Sequence, residues 1–354
     1  PTNVTPVAGT PASNSTNLSG ASLVYTQANN SQSTYTQANI TLNSSLAGST
    51  FRLIFTWQND NSTGSIPVAI DNISLISYPA MSGIYTIDNN IAESATNFNS
   101  FSSAIQAVNI RGISSSVTFN VTAGQTFNEN LPALTATGTS SNTITFQKSG
   151  DGNNPKIVPT GIGTTDFGIC ISGGDYITFD GIDVNGSAAT NSTNAIEFGY
   201  LIRNASATNG AQYNTIKNCA ISLNKNYVAS VTSACLFSSV SSAQGGVAPT
   251  NATGANSYNK FYNLTLSNAQ NGIYAVGNST YPDLSCEFGV AGSGCQTSRN
   301  SISNMGGVLT SSSSYGIYAQ YQSGGKIFNS DISNIRSNAN TTAGILLINF
   351  VGTN

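Results

Sequence analysis

Three aspartates, Asp175, Asp180 and Asp183, fall within nine residues of one another in the stretch GGDYITFDGIDV. Carboxylates this close in sequence can serve two chemistries, acid–base hydrolysis of a glycosidic bond or coordination of calcium. A plainer role competes with both: Asp180 and Asp183 as solvated residues at a bend, with Asp175 closing a local turn. Alternation of apolar and polar residues favours the plainer role, because it points Asp180 and Asp183 away from the core. A lyase sets a cation beside its carboxylates, but Arg203, Lys217, Lys225 and Lys260 do not recur next to these three. The chain has no histidine, which removes serine–histidine and cysteine–histidine nucleophiles and histidine-ligated metals. GIGTTDFG (Gly161 to Gly168) lacks the lysine and the spacing of a phosphate-binding loop. The expectation is a non-enzyme with no catalytic residue and no cofactor, calcium being the one candidate.

Cysteine and tyrosine carry the remaining candidate chemistry. Of five cysteines, Cys286 and Cys295 bracket the loop CEFGVAGSGC, a spacing that a disulfide can close in an oxidising compartment. Cys170, Cys219 and Cys235 read as small apolar residues. Tyr176, Tyr213 and Tyr258 recur at one position of a repeat. Aromatic faces are what carbohydrate binding uses, although a ladder that supports stacked strands is the stronger expectation.

The segments that position these residues must work with little charge. Only 7% of the 354 residues are Asp, Glu, Lys or Arg, against roughly a quarter in an average soluble protein. Net charge is −3, and no run of basic residues offers a surface to nucleic acid or anionic lipid. No apolar run approaches the roughly 20 residues that cross a bilayer, so neither nucleic acid nor membrane insertion is expected. Hydrophobic content of 39% is enough for a real core.

In DYITFDGIDVNG the apolar residues change parity: Ile177 and Phe179 lie on one, Ile182 and Val184 on the other, with Gly181 at the slip. A one-residue slip turns an apolar set to the opposite face. The pattern returns in YNTIKNCAI and YNKFYNLTL, and more loosely in RNSISNMGG and GGKIFNSDI. Aligned on the slip, the residues are Gly181, Asn218, Asn263, Asn304 and Asn329, at spacings of 37, 45, 41 and 25. Glycine and asparagine take a left-handed backbone most readily, so each is expected to be a corner that lets both apolar sets face one interior. A second apolar beat follows each corner: NAIEF, SACLF, NGIYA, YGIYA and AGILL. Constant strand cores with inserted loops are the mark of a solenoid, here a right-handed parallel β-helix of an all-β class. Asn214, Asn259 and Asn300, four residues before three of the corners, form a second series that stacked amides can join.

NFNSFSSAIQAVNIRG carries Phe101, Ala104, Ile105 and Val108 at helical spacing and ends on Gly112, which predicts a helix over about 98–111. Residues 81–354 are expected to form the β-helix, incomplete at its C-terminal end. Residues 1–80 form a partial β-sandwich segment with strands over 49–60 and 66–77, too few to close a sandwich alone.

The order YTIDNN, NFNSFSSAIQAVNIRG, VTFNV, TITF and GGDYITFDGIDV resembles the β-helix modules of large secreted adhesins of Bacteroidota. The resemblance covers about residues 83–350, and none of its motifs is catalytic. It implies a cell-surface or extracellular protein of the type exported by the type IX system, some members serving gliding and attachment. By the same resemblance WQND…IPVAIDNISLIS closes a jelly-roll module, Asp71 is a calcium candidate, and the helix caps the open end of the β-helix. The implied partners are surface glycans or other cell-surface polymers, together with other modules of the same chain. Two alternatives remain: a polysaccharide-degrading β-helix lyase or hydrolase, and a purely structural filament or spacer subunit.

Overall fold

A computed structural model describes residues 40, 42, 50–55, 72–163, 165–191, 194–226, 233–291, 299–306, 313–337 and 341–351. The chain divides into two units, Pro1–Tyr78 and Pro79–Asn354. In the first unit the strands expected over 49–60 and 66–77 lie partly outside the described residues. Those that are described, 50–55 and 72–77, are not in strands.

The second unit is all-β; its described residues form three parallel sheets, one α-helix and two short 3-10 turns, Ser242–Gln244 and Ala252–Gly254. The first sheet has nine strands, in the order Asn97–Phe98, Met81–Ile87, Ile113–Thr122, Ile144–Ser149, Ile177–Asp180, Thr215–Lys217, Lys260–Tyr262, Glu287–Phe288 and Lys326–Ile327. The second runs from Thr126–Phe127 through Lys156–Ile157, Asp183–Asn185, Ala220–Ser222 and Thr265–Ser267 to Asn300–Met305 and Ser330–Ile335. The third runs from Phe167–Ser172 through Phe198–Arg203, Ala234–Ser239 and Asn271–Val276 to Ser314–Ser323, which also pairs with Asp283–Leu284 and Thr342–Val351. From Ile177 to Val276 the chain visits first, second and third sheet in strict rotation, and each strand pairs with the strand one circuit later.

Rotation explains the change of parity. Ile177 and Phe179 point inward from the first sheet, Ile182 and Val184 from the turn and the second, and all four are buried in one core. Phe119, Phe146 and Phe179 stack at 4.5 and 4.9 Å along that core. The third sheet makes room for the second with glycine. A Cβ at Gly168 would stand 2.4 Å from Val184 Cγ1, and one at Gly199 2.3 Å from Ile221 Cγ2. The pentads in register with NGIYA are Phe198–Ile202 and Ala234–Ser238, not the NAIEF and SACLF expected, because Tyr200 pairs with Leu236 and Leu236 with Ile273.

The helix spans Phe101–Arg111, three residues shorter at its start than expected. Ser100 caps it, accepting from Ser103 N, and Gly112 at φ 61° ends it. Its first turn holds no acidic residue. Glu129, 28 positions on, supplies the carboxylate instead, accepting from Phe101 N at 3.0 Å and Ser102 N at 2.8 Å. Phe101 packs edge-on against Phe127 at 4.9 Å, which ties the helix to the same core.

Candidate functional site

Residues in the left-handed region turn many of the corners between sheets. Between first and second sheet stand Gly181 (φ 70°), Asn218 (59°), Asn263 (53°) and Asn329 (38°). Asn263 Nδ2 donates to Asn218 Oδ1 at 2.6 Å, and Asn218 Nδ2 donates to Asp180 Oδ1. The intervening circuit places Val290 at this position, and its carbonyl accepts from Asn329 Nδ2 at 2.9 Å.

Asn304 does not belong to that row, which corrects the expected series of five. Ile302 pairs with Leu266 in the second sheet rather than with Phe261 in the first. Asn304 therefore turns the corner between second and third sheet, with Asn268 (φ 60°) and Asn334 (φ 51°) as its row-mates. Asn304 Nδ2 donates to Asn268 Oδ1, and Asn334 Nδ2 to Asn304 Oδ1 at 3.1 Å. Asn300, by the same shift, pairs beside Leu264 and bonds its N–H at 3.1 Å. The tetrads TLSN, SISN and DISN repeat along this second row.

The third corner is turned by tyrosines. Tyr176 (φ 54°), Tyr213 (57°) and Tyr258 (62°) lie in register, followed by Ser285 (51°). Their rings stack at 4.6 and 4.5 Å, with planes 5° and 7° apart. Tyr213 is 41% exposed. Behind them, Asn214 Oδ1 accepts from Ile177 N and Asn259 Oδ1 from Asn214 N, both at 2.9 Å. Asn214 Nδ2 donates to Gly174 O and Asn259 Nδ2 to Ala211 O. The buried amides thus bond the backbone of adjacent circuits rather than one another, and hold the corner that carries the tyrosines.

A left-handed residue other than glycine costs about 1–2 kcal/mol, and asparagine pays least. The left-handed residues at the other two corners are asparagine and glycine. Three tyrosines therefore cost about 3–6 kcal/mol of strain, while two stacked pairs return about 1–3 kcal/mol. Strain in excess of what packing returns concentrates where a chain binds or reacts.

The aspartates do not converge. Asp175 Oδ1 accepts from Gln212 N at 2.7 Å beside the tyrosine corner. Asp180 pairs with Lys217 at 3.1 Å on the first sheet. Asp183 Oδ1, on the second sheet, accepts from Asn154 Nδ2 at 2.8 Å and Ala220 N at 2.7 Å. Burial raises the carboxyls of Asp175 and Asp183 above the ordinary range. Among the described residues no three carboxylate or thiol groups gather as a metal site, and Asp71 lies outside them. Glu197 and Asp283, which sequence patterns did not single out, are each 1% exposed, and burial pushes both up to about 7. Among the described residues neither has an ion-pair partner, which is a tertiary property.

Cys286 is a free, buried thiol that donates to Asn256 O at 3.3 Å. It follows Ser285 at the third corner, faces inward, and is not half of the expected disulfide; Cys295 lies outside the described residues. Cys170, Cys219 and Cys235 are likewise buried, their thiols pushed up to about 12 by burial. No family profile, curated protein or solved structure matches this chain.

Proposed function

We propose that the second unit is a right-handed parallel β-helix stalk of a secreted or cell-surface adhesin, attaching to glycans through the ridge of Tyr176, Tyr213 and Tyr258. The strict rotation among three parallel sheets supports the β-helix, and parallel crossovers are right-handed in nearly all proteins. The observation that carries the adhesive reading is the placing of strained, stacked tyrosines at a solvent-facing corner, where asparagine would turn the chain at lower cost. Aromatic rings offer sugars an apolar contact edged by phenol hydroxyls. Repetition along a stalk suits many weak contacts that gain by multivalency.

The test is retention of the whole chain on a glycan array, compared with Tyr213→Gly. Glycine relieves about 1–2 kcal/mol of strain and forfeits about 1–3 kcal/mol of stacking. The variant is therefore expected to lie within about 2 kcal/mol of the parent in stability while glycan retention falls about tenfold. Retention unchanged by Tyr213→Gly, or no glycan retained by the parent, would overturn the proposal and leave the ridge a structural ladder.

A further inference from the structure

Away from the tyrosines, the turn from first to second sheet opens a cleft of about 520 Å3, lined by Gly124, Gly152, Asn153, Asn154, Lys156 and Asp183. That volume falls within the roughly 300–1,000 Å3 of small-ligand sites. Gly124 (φ 76°) and Gly152 (φ 104°) would each direct a Cβ into open space, so side chains there would fill the cleft. Through Lys156 and Asp183 the cleft continues into a shallow hollow of about 150 Å3 on the outer face of the second sheet, along Asn185, Ser222, Thr265 and Ser267. Three strand steps of about 4.8 Å make this a trough rather than a pocket.

The groups lining it are complementary to a particular chemistry. Lys156 stands opposite Asp183 in the strand register, yet no ion pair within 4 Å joins them among the described residues. Asp183 spends Oδ1 on Asn154 and Ala220, which leaves Oδ2 to accept from a ligand. Lys148, whose ammonium donates to Gly152 O, adds a second positive charge at the same turn. The cleft is polar and the hollow beyond it largely apolar, floored by Val184, Ala220 and Ile221 with the hydroxyls of Ser222, Thr265 and Ser267 along it. In a chain with so few charges, an exposed ammonium beside such a surface selects an anion that combines hydroxyls with apolar ring faces. Two lysines and a carboxylate are too few and too mixed for a nucleic-acid backbone.

We propose that this trough binds a linear polysaccharide that carries carboxylates, a uronate polymer. Lys156 meets a sugar carboxylate in a charge-assisted hydrogen bond. Asp183 and Asn154 take hydroxyls of the same sugar, and Ser222, Thr265 and Ser267 those of its neighbours. The site is read from the cleft alone and does not depend on the tyrosine ridge.

The test is calorimetric titration of the whole chain with a uronate oligosaccharide and with its carboxyl-reduced counterpart. Lys156→Gln is expected to weaken uronate binding about tenfold, as is reduction of the carboxylates. Lys326→Gln removes the same charge from the exposed face of the first sheet and is expected to leave binding unchanged. Lys156→Gln is on the surface, and an unchanged melting curve shows that it folds. Absence of uronate binding, equal affinity for the reduced sugar, or equal loss in Lys326→Gln would each overturn the site. None of these outcomes bears on Tyr213, so the two proposals fail separately.

Discussion

Asn263 Nδ2 donates to Asn218 Oδ1 at 2.6 Å across 45 residues of sequence, and both asparagines hold a left-handed backbone. One residue type meets two demands at this corner. Its short side chain tolerates φ above zero, and its amide both donates and accepts along the row. Asn218 donates onward to Asp180, whose carboxylate also pairs with Lys217.

Substitution of Asn218 should separate those two demands. Glycine keeps the backbone and loses only exposed side-chain bonds, so Asn218→Gly is expected to cost less than about 1 kcal/mol. Valine adds strain at a position where a β-branched residue is an outlier, and Asn218→Val is expected to cost about 2–3 kcal/mol. Equal losses in denaturant titrations of the two variants would refute a backbone role for Asn218.

Packing of the third sheet on the second gives a different kind of prediction. Gly168→Ala sets a methyl 2.4 Å from Val184 Cγ1 and is expected to cost about 1–3 kcal/mol. Val184→Ala alone leaves a cavity and costs about as much. Combined, the two changes relieve the contact with Val184 but not the 2.8 Å approach to Gly199 O. The double variant should therefore recover part of the loss and be more stable than the sum of the singles implies by about 1 kcal/mol. Simple additivity in thermal or denaturant unfolding would show that the contact does not matter.

Asp283 makes stability depend on pH. Its carboxyl is fully buried, accepts from Asn256 N at 2.9 Å and Gln322 Nε2 at 3.1 Å, and is pushed up to about 7 chiefly by burial. A folded pKa above the unfolded one means that the native state binds the extra proton. Well below the unfolded value of 3.8 both states are protonated and the shift contributes nothing. As pH rises from about 4 to 7 the unfolded chain ionises first, so stability falls, and above about 7 the penalty is constant. Glu197 adds to the same trend, raised by burial and by the neighbouring Asp166 carboxylate. Asp283→Asn is expected to flatten the fall, since Gln322 Oε1, which lacks a partner, can accept from the new amide. Denaturation midpoints measured from pH 4 to 8 check this, and an unchanged slope in the variant would sink the assignment.

Much of this architecture is legible in the order of residues. Gly181, Asn218 and Asn263 follow strands of alternating apolar residues, and parity alone shows that their two halves share an interior. Asn304 shows where such reading fails. Its tetrad SISN fits the corner after KFYN nearly as well as the corner after TLS, because both are an apolar residue, a polar one and asparagine. Only the pairing of Ile302 with Leu266 distinguishes them. The disulfide expectation failed for a related reason: loop length brings Cys286 and Cys295 within reach, but cannot reveal that Cys286 points into the core.

Local chemistry in the chain settled what each residue tolerates: which positions bend, which helix ends at Gly112, which side chains leave water. Those are properties of a residue and its near neighbours, and they survive without a fold. Tertiary structure alone decided which bends stack, because register is chosen by contacts tens of residues apart. It also decided that three tyrosines lie face to face, that Asp283 has no ion-pair partner among the described residues, and that Lys156 and Asp183 border one cleft. Each of these depends on inserted loops of unequal length closing to a common circuit, a condition imposed by packing on the shared core rather than by sequence spacing.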